Sequence, residues 1–400
     1  MIKQFRLGIS GILMSVSTFV ILVLLNRNYD SSEILQYFKV NSIIVTTDTF
    51  ITCVARGKFY DKDRNTKGLT LLLVVAAISL LYGVVTFNSV WVLGSIMGAG
   101  CGYTVYTTDM AIYQGKDTLI PSLLYSAIRV LLAYVILQLK LFKLDTLASS
   151  TIFITTFSDI VIGVLFKRVY WRIGFRSVFK VSFSFEWIKQ EVKGILDTLK
   201  KNNNSILSRV IKIFVTVSLS SIEGAENISR FILTVQDAGV PFFLARDYNF
   251  KSKLNRIADT DGIDMKTKED KQIYATCMFW YVLVVSSVLY YNYTIEVPFI
   301  VFIIVLIIQS IHYLCFMGNL FFWEAVLKNR SYGLNVTYYY MYAHIGRYVA
   351  VVLTRSVYAY LVAMLLEVGI HYLYIYYLYK KDSVRKGEDA RVYKLSELIK

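Results

Sequence analysis

Charge is what this chain has least of. Only 18% of its 400 residues are Asp, Glu, Lys or Arg, while 56% are hydrophobic and 15% aromatic; a typical soluble domain is about 25% charged. That balance excludes an ordinary water-soluble globule and leaves the bilayer as the solvent. Cysteine is scarce too: Cys53, Cys101, Cys277 and Cys315 all fall in apolar segments without a CxxC neighbour, which excludes a disulfide framework and a zinc site. The three histidines, His312, His344 and His371, have no metal-ligand spacing. No Ser/His/Asp arrangement, paired-carboxylate motif or HExxH is present. The expectation is a protein that is not an enzyme and holds no metal or cofactor.

What the chain does have is a long succession of apolar runs. Crossing about 30 Å of hydrocarbon takes roughly 17 to 25 residues of helix, and twelve such runs can be placed. The first six lie near 7 to 26, 35 to 55, 69 to 87, 90 to 113, 119 to 139 and 147 to 166. The last six lie near 205 to 222, 228 to 245, 273 to 291, 297 to 320, 335 to 353 and 357 to 378. The eighth is the most interrupted, holding Arg230, Asp237 and Pro241. MIKQFR followed by an apolar run resembles a signal peptide, but no small-x-small cleavage site follows, so a retained first span is expected. The fold class is therefore all-α integral membrane.

The net charge of +15 raises the possibility of nucleic acid, and its distribution answers it. With a cytoplasmic amino terminus and alternating sides, Arg27, Lys140, Lys143 and Arg355 are external. Lys39, Arg129, Arg209, Lys212, Arg230 and Arg347 lie within spans, and the rest of the 43 Lys and Arg are cytoplasmic. That is the positive-inside rule. It predicts a multi-pass protein of the plasma membrane with both termini cytoplasmic, short external connections and no nucleic-acid partner. Helix-spaced Phe185, Ile188, Val192, Ile195 and Leu199 fit an amphipathic helix on the inner leaflet or a solvated linker helix equally.

The two halves share an order of features. CVARGKFYDKD after span two resembles FLARDYNFKSK after span eight, aligning Ala55 and Arg56 with Ala245 and Arg246. YSAIR at 125 to 129 resembles YAHIGR at 342 to 347, and Asp159 in span six corresponds to Glu367 in span twelve. Six spans per half is an even number, so both halves enter the membrane in the same sense, as parallel repeats about an axis along the membrane normal. The expected organisation is a six-helix lobe over 1 to 170, an amphipathic linker over 171 to 204, and a second lobe with a cytoplasmic tail over 205 to 400.

A cation at the centre of a spanning helix costs about 2.5 to 3.5 kcal/mol on insertion scales, so it faces something polar. Arg129 and Arg347 are such cations, at matched positions in the two halves. Each is open to two readings, an ion pair with a neighbouring helix or one wall of a shared cavity. Guanidinium presents a planar fork of donors suited to phosphate oxygens, so the cavity reading implies an anionic ligand. Asp48, Asp109, Asp159, Asp237, Glu324 and Glu367 are embedded acids, suited to ion pairing or to proton or sodium coupling. Gly94, Gly98 and Gly102 recur every four residues in span four, a close-packing face.

With twelve spans in two six-helix lobes and a length near 400, the chain resembles the Wzx-type polysaccharide flippases of the multidrug/oligosaccharidyl-lipid/polysaccharide exporter superfamily. RLGISGILMSVSTFVILVLLN, then SEILQYFKVNSIIVTTDTFITCVARGKF with Asp48 late in the helix, carries the likeness, as do the basic turns GKD at 115 to 117 and KNRSYG at 328 to 333. Departures are a span seven without proline and a long segment from Arg246 to Lys271. The resemblance implies alternating-access flipping of undecaprenyl-diphosphate-linked O-antigen or polysaccharide repeat units across the bacterial inner membrane. Arg129 and Arg347 would then hold the anion, and Arg230 and Arg355 would assist at the external mouth. Membrane lipids, and polymerase and chain-length proteins of the same pathway, are the implied partners. An O-antigen polymerase and a drug or metabolite exporter of the same superfamily are the competing readings.

Overall fold

The computed structural model describes residues 2–59, 65–88, 91, 92, 94–100, 118–138, 210–246, 249, 268–328 and 330–385, and among them there is no strand. The main helices are α1 (Ile2–Asn28), α2 (Ser31–Phe59), α3 (Asn65–Val85), α4 (Leu119–Gln138) and α5 (Glu226–Ala238). They continue with α6 (Lys268–Thr294), α7 (Phe299–Lys328), α8 (Arg330–Thr354) and α9 (Val357–Arg385). Residues 94–100, 210–219 and 240–246 are helical as well. Helix is what an apolar solvent demands, because it satisfies every backbone N–H and C=O within the segment.

Eleven of the twelve expected spans have a helix among the described residues, and the sixth lies outside them. Two helices there, Glu226–Arg246 and Lys271–Thr294, are long and apolar enough to cross a membrane by length and composition. The bent pair Phe5–Leu13 and Ser15–Asn28 makes a third if taken as one span. Shorter apolar helices fall within expected spans at Val74–Val85, Leu119–Val135, Val210–Leu219, Phe299–Leu314 and Val357–Ile370. The expected linker helix lies outside the described residues.

The connections are tight and carry their own stop signals. α2 opens on a reciprocal cap: the Glu33 N–H donates to Asp30 Oδ1 at 2.9 Å, and the Asp30 N–H donates to Glu33 Oε2 at 3.1 Å, the capping box in its acidic form. After α3 the chain turns through Phe87 at φ 52°, and Asn88 Oδ1 accepts the Trp91 N–H at 3.0 Å to start the next helix. Gly224, at φ 74°, turns the chain ahead of α5. α8 ends on Arg355 at φ 48°, whose N–H bonds back to Val351 O at 2.8 Å.

α1 packs most extensively on α4, α2 on α3, and α7 on α9, while α5 touches α1, α2, α6 and α7. One apolar core therefore runs from the first half into the second, with Leu22, Leu25 and Ile34 against Ala133, Leu219, Phe231, Val235, Val288, Tyr291 and Leu361. Large apolar side chains also cover the outside, among them Ile78, Leu81, Leu131, Val282, Leu353 and Leu366. Helices that are apolar inside and out suit a lipid surround. α1 bends by 46° between Phe5–Leu13 and Ser15–Asn28. Ser15 Oγ donates to the Gly11 carbonyl at 3.2 Å across that bend, a back-bond of the kind that bends helices.

Candidate functional site

Arg347 and Glu367 stand on adjacent helices, α8 and α9, and form a buried ion pair. Nε lies 2.6 Å from Oε2, off the donor axis, and Nη2 donates to Oε1 at 3.3 Å. The side chains are only 11% and 10% exposed. His344, one turn earlier on α8, contacts Nη2 of the same guanidinium. The corresponding helices thus bring together two of the residues singled out from sequence, the arginine of YAHIGR and the acid of span twelve, and add a histidine that sequence spacing had left unassigned.

Arg129 is just as buried but differently supported. Nη1 donates to the Tyr125 hydroxyl at 2.7 Å, and the guanidinium lies 5.1 Å from the centroid of that ring. Tyr125 is one helical turn earlier on α4, so this support is local. Asp237, the acid of the eighth span, sits 3.7 Å from Lys212 Nζ. Asp159, the acid expected to correspond to Glu367, lies outside the described residues. So does the side chain of Asp48, whose backbone belongs to α2.

The other two predicted arginines are elsewhere. Arg230, near the start of α5, donates to Asn26 and Ser31 of the first half, and Arg355 is exposed at the α8–α9 corner. Sequence reasoning missed Arg246, which it placed in a charged loop. This arginine is 4% exposed, lies 4.9 Å from the Phe243 ring and 5.1 Å from the Tyr313 ring, and donates to the Tyr313 carbonyl at 3.4 Å. Nearby, Trp280 Nε1 donates to Asn249 Oδ1 at 3.1 Å. Phe243 one turn before Arg246, and the match of Arg246 to Arg56, were the available signals. Among the described residues, no group of three or more His, Cys, Asp and Glu could hold a metal ion.

What this geometry offers is buried guanidinium on both halves of a helical membrane protein, each cation held by aromatic, carboxylate or carbonyl groups. No protein-family model and no curated protein matches the chain. Solved structures do. One is the outward-facing conformation of a multidrug resistance MATE family transporter of the MOP superfamily, at TM-score 0.55 and 12% identity over 93% of this chain and 94% of that one. A MATE in complex with MaD5 gives TM-score 0.56 at 13% identity, covering 93% of each chain. A MATE in the bent conformation gives 0.50 at 13% identity over 92% of each. The fold of this chain is therefore similar to that of the MATE transporters.

Proposed function

We propose that the chain is a membrane transporter working by alternating access, and that its cargo is an anionic lipid-linked saccharide, an undecaprenyl-diphosphate-linked O-antigen or polysaccharide repeat unit. The observation that carries the cargo reading is Arg129. Its guanidinium is buried in the membrane-spanning part of α4 and oriented by Tyr125. Diphosphate oxygens match such a fork. Arg347, matched to Arg129 by the sequence likeness of YAHIGR to YSAIR, is contacted by Glu367 and His344, and Arg230 and Arg355 stand at the end that carries Asp30. We assign that end to the outside of the bacterial inner membrane, with both termini cytoplasmic. Asp237 and Glu367, with Asp48 and Asp159, are the acids through which a proton or sodium gradient would drive the cycle. Polymerase and chain-length proteins of the same pathway are the proposed partners.

Deleting the gene and analysing lipid-linked intermediates tests the cargo. Single repeat units should accumulate on the cytoplasmic leaflet and clear on complementation with the wild-type chain. Export of cationic drugs is the second reading, favoured by the multidrug transporter among the similar folds and by the embedded acids. Unchanged intermediates with raised drug susceptibility would select it. A polymerase is disfavoured because the described connections at the Asp30 end, such as residues 86–88 and 355–356, are too short to hold a catalytic loop.

A further inference from the structure

Two unlike contacts join α1 to the segment Glu226–Arg246. At the Asp30 end, Arg230 donates from all three of its nitrogens: Nε to Asn26 Oδ1 at 2.6 Å, Nη1 to Ser31 Oγ at 3.0 Å, and Nη2 to the Asn26 carbonyl at 3.0 Å. Ser31 Oγ donates onward to Asn227 Oδ1 at 2.7 Å. Asp30 attracts the same guanidinium and, through the capping box, fixes the first turn of α2 that presents Ser31.

At the opposite end the contact is made by glycines. A Cβ on Gly11 would stand 2.8 Å from the Ala245 Cα and the Leu244 carbonyl oxygen, and one on Gly8 would stand 2.6 Å from the Trp280 ring. Gly11 to Asn26 and Arg230 to Ala245 are equal steps along the two segments, so they run antiparallel in register, with a different chemistry at each end.

That difference sets which end lets go. The glycine contact is backbone against backbone, inside a cluster of Ala245, Cys277, Trp280 and Tyr313, and separating it opens a void. The Arg230 contact consists of exchangeable hydrogen bonds among part-buried and exposed groups, for which water or an anion can substitute. We propose that Arg230, Asn26, Ser31 and Asn227 form a releasable latch between the two halves of the chain. The latch holds the Asp30 end shut, and Arg230 frees its donors when that end opens. The proposal rests on the alternating-access reading, because a latch has a purpose only if the halves part.

The test uses the full chain in lipid nanodiscs, with the four native cysteines replaced. Spin labels go on Phe87→Cys and Tyr293→Cys, positions 96% and 87% exposed on opposite halves at the Asp30 end. Pulsed dipolar spectroscopy should show a short-distance population in the parent. Arg230→Ala should enlarge the long-distance population severalfold, Arg230→Lys less so, and the Ser31→Ala/Asn227→Ala pair should move it the same way. Joining Ser31→Cys to Asn227→Cys under oxidant before the labels are attached should abolish the long population. Distances unchanged in Arg230→Ala overturn the latch. If that variant does not fold, unchanged distances in the Ser31→Ala/Asn227→Ala pair overturn it equally. Labels that respond while no lipid-linked cargo moves keep the latch and remove the cargo. Cargo that moves while the labels stay fixed does the reverse.

Discussion

A buried cation is only as stable as the groups that face it, and the two central arginines differ in that respect. Arg347 depends on Glu367 across a helix boundary, so deleting one partner leaves the other charged and stranded, at a cost of about 3–5 kcal/mol. Glu367→Ala should therefore lower the thermal midpoint in detergent sharply, and Arg347→Met/Glu367→Leu should recover most of the loss. A double variant no better than the single would show that the pair is not what holds α8 to α9. Arg129 leans on its own helix through Tyr125. Tyr125→Phe should cost about 1.5–3 kcal/mol, the usual range for a hydrogen bond to a charged group. For transport, Arg129→Lys keeps the charge and loses the fork, so surface polysaccharide should fall at least tenfold at normal protein level, and Arg129→Ala should abolish it.

At the scale of a helix, the ends carry the specific information. Asp30→Ala removes the cap of α2 and should destabilise by about 1 kcal/mol. The Glu33 backbone N–H, then the Ser32 hydroxyl, hold the Asp30 carboxyl below its ordinary value. Its contribution is thus fully present above the unfolded aspartate value, about 3.9, and is lost as pH falls through the lowered folded value. Asp30→Asn keeps an acceptor that does not titrate, so the gap in midpoint between it and the parent should hold constant down to about pH 3.9 and narrow only below it; a gap that stays constant on further acidification would contradict this. Arg355 occupies the left-handed region at φ 48°, where an L side chain costs roughly 1–2 kcal/mol. Arg355→Gly should raise the midpoint. Gly11→Leu should lower it, by roughly 1–3 kcal/mol, since its side chain would meet the backbone of residues 244 and 245. Helix positions were legible in the sequence because apolar runs of bilayer length admit one secondary structure. The left-handed turns at Phe87 and Arg355 were not, because neither residue type signals one.

For the molecule as a whole, the all-α membrane fold was legible from runs and charge asymmetry, and the MATE-like fold agrees with it. Pairing YSAIR with YAHIGR and Asp159 with Glu367 singled out Arg347 and Glu367, which meet. It did not show that Arg129 would rest on Tyr125, nor that Arg246 would be buried between Phe243 and Tyr313. The first is an i, i+4 pair that helical spacing allows but does not single out, and the second crosses 67 positions of sequence, which no periodicity encodes. The Arg230 latch was hidden for the same reason, since Asn26 and Ser31 are ordinary polar residues until α5 is laid beside them. The most direct measurement of what the chain does is flipping of a fluorescent polyprenyl-diphosphate saccharide by purified protein in liposomes, read by an impermeant quencher. The wild-type chain should make the inner-leaflet probe accessible and Arg129→Ala should not; a wild-type trace identical to that of empty liposomes, with the protein folded and reconstituted, would contradict the proposed cargo.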